Sequence, residues 1–180
     1  MLFRSQYDAK ATFFTLGSRV QQFPELARRV AAEGHELSNH TYNHLYFRSG
    51  VDEARYLDDI LKAQQVIRQT TGQLPRLFRP PGGYYNDAVV QAAKLAGINQ
   101  VVIWSWHQDT KDWRNPGVDK IVSKVLNNAR NGDIVLMHDH AERTSQTVEA
   151  LKTILPELKQ RGFRMVTVSE LLSYGKPVHR

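Results

Sequence analysis

ATFFTLGSRVQQFPELARRVAAEGHELS, residues 11–38, is the stretch that decides the fold, because it holds one complete strand–helix–strand unit. The β-branched and aromatic run at residues 11–16 is typical of a buried strand, and residues 36–38 predict a second, weaker one. Between them, residues 24–33 have a helical pattern that stops at Gly34, and glycine accepts the left-handed conformation that often ends a helix. The stretch therefore predicts two strands joined by a helix.

The same alternation continues along the rest of the chain. Further strands are predicted at residues 76–79, 100–106, 133–137 and 163–168, and further helices at residues 52–71, 87–96, 119–130 and 147–160, each helix stopping at or near a glycine. Regular β-α alternation with nearly continuous apolar strands favours a parallel sheet covered by helices. Length alone does not decide between an open doubly wound sheet and a closed barrel.

Polar side chains follow four of the predicted strands at their C-terminal ends. They are His40 and His44, then Arg79, then Asp109 and Asp112, and finally His138 and Asp139. A barrel gathers residues from several strand ends on one face, whereas an open sheet concentrates them at one switch point. The distribution over four strands therefore favours a barrel.

Size and composition indicate one globular domain that spans residues 1–180. The chain has 41% hydrophobic and 23% charged residues, which is ordinary for a folded domain. No apolar run approaches the ~20 residues that cross a bilayer, and the first residues turn polar too soon for a signal peptide. We therefore expect no membrane span in this sequence.

Charge and cysteine content narrow the class of partner and of metal site. The chain has 24 Lys and Arg against 18 Asp and Glu, a net charge of +6, but the basic residues are scattered among acidic ones. This pattern favours a solvated basic surface over nucleic-acid binding. With no cysteine, a metal must be bound by imidazole, carboxylate and water.

The His-x-x-x-His pair, His40 and His44, is the first candidate for metal binding, because two imidazoles four residues apart can bind one divalent ion. A pair of this kind is more often two unrelated surface histidines, and no third protein ligand is obvious. Asp109 and Asp112 could likewise only cap the next helix. His138 after an apolar strand is harder to explain structurally, since a titratable group there needs a partner.

Five segments in the same order resemble the polysaccharide deacetylase family, the carbohydrate esterases that remove N-acetyl or O-acetyl groups from chitin, chitooligosaccharides, peptidoglycan or acetylxylan. The segments are Lys10–Phe14, Gly34–His44, Phe78–Gly82, Asp109–Trp113 and Ile134–His138. The resemblance covers nearly the whole chain. It implies a distorted, incompletely closed (β/α) barrel similar to a TIM barrel.

The resemblance implies a metal site and a general acid. His40 and His44 would bind the metal, usually zinc, with cobalt or nickel as substitutes, and Thr41 would brace the loop between them. His138 would protonate the departing amine, with Asp112 hydrogen-bonded to it.

Four further positions match the family's other motifs. Arg79 would orient the catalytic base, and the backbone N–H of Gly82 would stabilise the oxyanion. Many members have tyrosine where Gly82 stands, but glycine keeps the N–H. Leu136 and Trp113 would form the apolar pocket for the acetyl methyl group.

One family motif does not occur in these 180 residues, a Thr-Phe-Asp-Asp-Gly strand that would supply the catalytic base and the third metal ligand. Without it we expect a barrel that lacks its first strand, weaker metal binding and a rate lower by a factor of about 10² to 10⁴. The exposed strand edge would permit self-association. We favour the explanation that residues 1–180 are an N-terminally truncated catalytic domain and that sequence upstream of Met1 supplies the strand. Alternatively, the chain could be an inactive relic that binds glycans, or a partner chain could donate the strand.

The function implied is metal-dependent hydrolysis of N-acetyl groups from a polysaccharide that contains N-acetylglucosamine, either peptidoglycan or a chitin-like polymer. The partner would be an acetylated polysaccharide or oligosaccharide outside the bacterial cytoplasm, at the cell envelope or beyond it. The alternative is a non-catalytic glycan-binding protein. Tyr84, Tyr85 and Trp106 are candidates for sugar stacking, although we expect them to pack in the core.

Overall fold

The computed structural model of the chain describes residues 7–47, 52–139 and 145–175. The chain folds into two compact units. The sheet unit is Ala11–Ile103, and the C-terminal unit is Trp104–Arg180 together with Met1–Lys10.

A four-stranded parallel sheet organises the sheet unit. Its strands lie in chain order: β1 (Thr12–Thr15), β2 (Glu36–Asn39), β3 (Leu77–Phe78) and β4 (Gln100–Val101). The register pairs Thr15 with Asn39, Asn39 with Phe78 and Phe78 with Val101. Because all strands run in one direction, residues that follow β2 and β3 emerge at the same edge of the sheet.

Four helices accompany the sheet: α1 (Gly17–Gln22), α2 (Pro24–Ala32), α3 (Glu53–Thr71) and α4 (Asp87–Leu95). The Asp52 side chain caps the start of α3, and Gly72 ends it in the left-handed conformation with φ of 74°. Ile67 of α3 packs in one apolar cluster with residues of α1, α2 and β2, while Tyr56 and Ile60 of α3 pack in a second cluster with Phe78 and α4. Helix α3 therefore contributes to both clusters.

The C-terminal unit contains α5 (Val118–Leu126), α6 (Ser145–Gln160) and α7 (Val168–Tyr174). Its core joins α5 and α6 through Ile121, Val125, Ala150 and Ile154, all of which are buried. Two 3₁₀ turns, Trp106–Gln108 and Asp112–Arg114, precede α5. One isolated parallel bridge pairs Asp109 with Leu136.

The predicted α/β class with a parallel sheet is confirmed, and the sheet is not closed within the described residues. The strand predicted at 163–168 is wrong, because Val168 begins α7 and the Thr167 side chain caps that helix by accepting a hydrogen bond from the Glu170 N–H at 3.2 Å. The strand predicted at 133–137 is reduced to the bridge at Leu136. Helix α1 was not predicted at all.

No helix within residues 7–47, 52–139 and 145–175 combines the length and apolarity needed to cross a membrane. The assignment of residues 1–180 to one domain stays a prediction.

Candidate active site

His40 and His44 lie in the loop that follows β2. The loop starts as a continuation of the sheet, since the His40 N–H donates to the Thr15 carbonyl at 3.1 Å. The two imidazole rings are 5.0 Å apart between centroids, with an angle of 64° between their planes. The two rings are close neighbours, and the sequence interpretation that they bind one metal stays a prediction.

The His40 ring is oriented by a backbone carbonyl. Its Nδ1 lies 2.6 Å from the Arg79 oxygen, and because a carbonyl only accepts, Nδ1 must carry the proton and donate it. The lone pair of a neutral imidazole then lies on Nε2. Histidines that bind metals use this arrangement, in which one ring nitrogen donates to a carbonyl or carboxylate and the other binds the metal.

The loop between the two histidines has an unusual backbone. Thr41 has φ of 67° and His44 has φ of 60°, in a region that side chains other than glycine rarely adopt. Each such residue costs about 1–3 kcal/mol and persists only where its surroundings enforce it. Thr41 is fully buried, and its hydroxyl accepts a hydrogen bond from the Leu45 N–H at 3.2 Å.

Asp59 of α3 is the main side chain that holds this loop. It is buried, and its Oδ2 accepts hydrogen bonds from the backbone N–H groups of Tyr42 at 2.9 Å and Asn43 at 3.0 Å. Its Oδ1 accepts from the Asn43 side chain at 3.0 Å. One carboxylate therefore binds both residues that follow Thr41 and precede His44.

Asn39, the last residue of β2, braces the loop from the other side. Its Oδ1 accepts from the Thr41 N–H at 2.8 Å, and its Nδ2 donates to the Ile60 carbonyl and to Gln64 Oε1. Gln64 in turn donates to the Pro75 carbonyl at 2.7 Å. This network ties β2, the histidine loop and α3 together.

Close backbone packing also fixes the loop against α1. The N–H of Gly17 donates to the Thr41 carbonyl at 3.0 Å, and a Cβ at Gly17 would lie 2.6 Å from the Tyr42 ring and 2.8 Å from Ala63 Cα. Only glycine allows this approach without displacing the loop or α3.

Arg79 follows β3 and is almost entirely buried. Its Nε donates to the Val102 carbonyl at 3.3 Å, and its guanidinium stacks 4.0 Å above the Phe14 ring. Burial lowers the pKa of Arg79 to about 10, so the side chain is still cationic at neutral pH. The same residue thus contributes its carbonyl to His40 and a fixed positive charge to this edge of the sheet.

Gly82 lies in a 3₁₀ turn, Pro81–Gly83, with φ of 68°. A Cβ at this position would lie 2.8 Å from Tyr46 Cε1 and 3.1 Å from the Tyr84 ring. The Tyr46 ring also meets the His44 ring edge to face, with 5.0 Å between centroids. Gly82 therefore lies beside the aromatic residue that packs on the second histidine.

Asp112 and His138 form a pair within the C-terminal unit. Asp112 Oδ1 lies 2.8 Å from His138 Nδ1, and Asp112 Oδ2 accepts from the His138 backbone N–H at 2.7 Å. The Thr147 hydroxyl donates to the same Oδ2 at 2.8 Å, and the Trp113 N–H donates to Oδ1 at 3.1 Å. The alternative in which Asp112 only caps the next helix is wrong, because no side chain caps the start of α5.

The environment of Asp112 keeps it ionised. Burial raises the pKa of the Asp112 carboxyl, but hydrogen bonds from the His138 ring, the His138 backbone and Thr147 outweigh that effect and hold the pKa below its ordinary value. The His138 side chain is 40% exposed, against 1% for Asp112. The buried carboxylate therefore orients an imidazole that solvent can reach.

Leu136 and Trp113 lie beside this pair in the chain. Leu136 is buried, and its carbonyl accepts from the Thr110 hydroxyl at 2.8 Å, whereas Trp113 is 50% exposed. The expectation that Tyr84, Tyr85 and Trp106 pack in the core is wrong, since their exposed fractions are 61%, 64% and 79%.

Sequence reasoning missed three residues that position the site: Asn39, Asp59 and Thr147. Asn39 is next to His40, so its position after a strand was the available signal. Asp59 and Thr147 lie 15 and nine residues beyond the nearest predicted site residue in the chain, and no local pattern points to them.

The described residues offer two imidazoles for a divalent metal, and no group of three or more His, Asp or Glu side chains that could bind one occurs among them. The ring orientation of His40 and the imidazole of His44 fit a zinc-type ion, for which imidazole is a common ligand. The remaining coordination positions would need water or other groups.

The sequence of this chain is similar to known polysaccharide deacetylases. Residues 4–101 match the family model "Polysaccharide deacetylase". A peptidoglycan-N-acetylglucosamine deacetylase from Bacillus cereus is 56% identical over 169 residues, which is 94% of this chain and 78% of the relative.

Two solved structures share the fold. A CE4 family pseudoenzyme from Bacillus anthracis superposes with a TM-score of 0.85 at 32% identity, covering 95% of this chain and 58% of that one. A family 4 acetyl xylan esterase from Clostridium thermocellum, in complex with a cobalt ion, has a TM-score of 0.85 at 28% identity, covering 96% of this chain and 81% of that one. The ordered motifs, the fold and these similarities lead to one conclusion: the chain belongs to the polysaccharide deacetylase family, carbohydrate esterase family 4.

Proposed function

We propose that this protein is a metal-dependent deacetylase that hydrolyses N-acetyl groups of a polysaccharide containing N-acetylglucosamine, such as peptidoglycan. The observation that carries the proposal is the 2.6 Å hydrogen bond from His40 Nδ1 to the Arg79 carbonyl, which orients the imidazole as a metal ligand. The similarity to the Bacillus cereus peptidoglycan-N-acetylglucosamine deacetylase supports the choice of substrate.

His40 and His44 would hold the metal, with zinc as the expected ion and cobalt or nickel as substitutes. When bound, the metal supplies Lewis-acid polarisation of the acetyl carbonyl and activation of water. The strained loop backbone and its bonds to Asp59 keep the two imidazoles in position before the metal arrives.

His138 would act as the general acid. Its Nδ1 bonds Asp112 Oδ1, which leaves Nε2 to donate a proton to the nitrogen of the departing sugar amine. In the overall reaction, water adds to the acetyl carbon, the C–N bond breaks, acetate leaves and the amine takes up the proton. Asp112 acts through His138 and is a positioning residue.

The other predicted residues take roles that suit their surroundings. The buried cationic Arg79 would orient the catalytic base, and the Gly82 N–H would donate to the oxyanion. Leu136 and Trp113 would receive the acetyl methyl group. Action at the bacterial cell envelope, and self-association through an edge strand of the sheet, are further parts of this proposal.

A second candidate is glycan binding without catalysis. It is favoured by the two-imidazole set, which lacks a third His, Asp or Glu ligand within the described residues, and by the similarity to the Bacillus anthracis pseudoenzyme. On this alternative, the protein would bind acetylated oligosaccharides and release no acetate.

The two candidates separate in one experiment. The protein is titrated with Zn²⁺ by calorimetry, and the zinc-loaded protein is then incubated with N-acetylglucosamine oligomers while acetate is measured. We expect zinc binding that His40→Ala and His44→Ala each abolish, with His107→Ala as a control at a histidine outside the pair. Acetate release supports the deacetylase, whereas oligomer binding with no release under zinc, cobalt or nickel supports the glycan-binding protein.

A further inference from the structure

The short turn Trp106–Gln108 exposes a tryptophan to an unusual degree. The Trp106 side chain is 79% exposed, the highest value among the large hydrophobic residues in the described part of the chain. An exposed indole offers a large, flat apolar face together with a polar N–H, and this combination suits ligands that have both an apolar face and hydroxyl groups. Trp106 therefore lies outside the core, and its ring is accessible to a ligand.

The Trp106 ring is held in a defined orientation. It meets the Trp104 ring in a T-shaped arrangement with 6.0 Å between centroids. Ser105, between them, is tied to Ile134 by two hydrogen bonds, from its N–H to the Ile134 carbonyl at 3.0 Å and from the Ile134 N–H to its hydroxyl at 3.1 Å. A rigid aromatic side chain loses little conformational entropy when it binds a ligand.

The residues after Trp106 are fixed by one carboxylate. Asp133 Oδ2 lies 2.9 Å from His107 Nε2 and accepts from Gln108 Nε2 at 3.1 Å and from the Arg130 N–H at 2.9 Å. Gln108 is fully buried and anchors the turn, while the His107 side chain remains 36% exposed. The bond to Asp133 orients the His107 ring beside the exposed indole.

Trp106 and His107 together indicate the kind of ligand that this turn would bind. The flat indole suits the C–H face of a sugar ring, and the second imidazole nitrogen of His107 suits a sugar hydroxyl. A hydroxyl can donate or accept, so it can bond Nδ1 whether or not that nitrogen carries a proton. A phosphate or carboxylate would need a fixed cation, and among the described side chains of this turn none is Lys or Arg.

The position of the turn in the chain connects it to the predicted general acid. Asp109, directly after the turn, pairs with Leu136, and Asp112 three residues later bonds His138. Trp106 therefore lies on the same short segment of the C-terminal unit as Asp112, the residue that bonds His138.

We propose that Trp106 and His107 form a sugar-binding subsite that holds a hexosamine unit of the polymer other than the one being deacetylated. Trp106 stacks on the ring of this unit, and His107 bonds one of its hydroxyls. The proposal rests on the proposed function only in taking an acetylated polysaccharide as the ligand, and it requires neither the metal nor turnover.

Chain-length dependence of binding tests the subsite. Calorimetric titrations with di-N-acetylchitobiose and penta-N-acetylchitopentaose, in the presence of EDTA, compare the wild type with Trp106→Ala, Trp106→Phe and His107→Ala. We expect Trp106→Ala to weaken pentamer binding about tenfold, the size of one stacking contact, and to change dimer binding much less. Trp106→Phe should keep most of the affinity, because it keeps an aromatic face.

Tyr174→Ala is the matched control, since Tyr174 is an aromatic residue of the same unit with 60% exposure, in α7. It should bind both ligands as the wild type does, and thermal unfolding should confirm that every variant is folded. Unchanged pentamer binding by Trp106→Ala, or an equal loss for dimer and pentamer, would overturn the subsite. Acetate release measured separately decides the proposed function: Trp106-dependent binding without release would leave the subsite standing and the deacetylase refuted.

Discussion

Asp112 and His138 are joined twice, by Asp112 Oδ1 at 2.8 Å from the imidazole Nδ1 and by Asp112 Oδ2 at 2.7 Å from the backbone N–H of the same histidine. The second bond fixes the main chain that carries the ring, and the first fixes the ring itself. A side chain held at both levels has little freedom to leave its position, which is what a general acid requires.

Asp112→Asn should therefore impair catalysis far more than it impairs metal binding. Asparagine keeps the shape but has one accepting oxygen. The variant therefore loses either the bonds from the His138 ring and the Trp113 N–H, or the bonds from the His138 backbone N–H and the Thr147 hydroxyl. We expect deacetylation to fall by a factor of about 10² to 10⁴ and zinc affinity to stay unchanged. Asp109→Asn is the control, because Asp109 bonds only the Lys111 N–H through its side chain in the described contacts. Activity equal to wild type in Asp112→Asn would refute the role of the pair.

The same bonds predict how stability depends on pH. The pKa of Asp112 lies below its ordinary value, with burial outweighed by the hydrogen bonds from His138 and Thr147. A carboxyl with a lower pKa in the folded state stabilises the fold above its unfolded pKa of about 3.9, and this stabilisation disappears as the pH falls through the folded pKa.

We expect the free energy of unfolding, measured by urea denaturation, to fall as the pH is lowered from 5 to 3. Asp112→Asn should make this dependence shallower. Asp133→Asn should act in the same direction, because hydrogen bonds from His107, Gln108 and Arg130 outweigh burial and lower the pKa of Asp133 too. An identical pH dependence in wild type and both variants would contradict the assignment.

Asp59 should control metal affinity without touching the metal. Its Oδ2 accepts from the backbone N–H groups of Tyr42 and Asn43, and its Oδ1 accepts from the Asn43 side chain. In Asp59→Asn the amide can accept at only one of these two positions, so one of the two sets of bonds is lost. We expect zinc affinity measured by calorimetry to fall about 10- to 100-fold, the usual cost of losing an orienting residue behind a ligand.

Asp58→Asn provides a closely matched control, since it removes the same charge from the adjacent, exposed position on α3. If Asp58→Asn and Asp59→Asn weaken zinc binding equally, the effect is general electrostatics and the bracing role is wrong.

The sequence predicted those helices whose caps, apolar stripes and terminal glycines lie within the helix or directly beside it. Helix α3 was predicted to within one residue at its start because a cap, an apolar stripe and a terminal glycine agree there. The ordered motifs likewise indicated His40, Arg79 and His138 as candidate site residues, and their roles stay predictions. The first residue of α7, Val168, was instead predicted to end a strand. A short apolar run is typical of a strand and of a buried helix alike, and it is the Thr167 side chain, which caps α7, that makes Val168 the start of a helix.

What the sequence could not provide is contact between distant residues. Asp59 acts on a loop 16 residues earlier, and Thr147 acts on Asp112 from a different helix. Aromatic exposure was also unpredictable, since Trp104 and Trp106 belong to one apolar run yet only the second is exposed. Residue type alone does not tell which side of a short turn faces water.

Gly82 and Gly72 offer a direct test of the packing beside His44. Both have positive φ, 68° and 74°, so replacement by alanine costs each about 1–2 kcal/mol in backbone energy. Only at Gly82 would the new Cβ also meet a neighbour, 2.8 Å from Tyr46 Cε1, whereas nothing lies within 4 Å of a Cβ at Gly72. We therefore expect Gly82→Ala to lower the free energy of unfolding by about 1–3 kcal/mol more than Gly72→Ala does, measured by urea denaturation.

Adding Tyr46→Ala isolates the contact. Removing the Tyr46 ring should remove most of the extra cost of Gly82→Ala, and the remainder comes from the Tyr84 ring at 3.1 Å. The part removed is the coupling energy in the double-mutant cycle, while the cost of Gly72→Ala should stay unchanged. Because Tyr46 packs edge to face on His44, Gly82→Ala should also weaken zinc binding, and Gly72→Ala should not. Equal destabilisation by the two glycine substitutions would mean that the Tyr46 ring moves aside freely. The loop that carries His44 would then be less rigid than its left-handed backbone and its hydrogen bonds to Asp59 indicate.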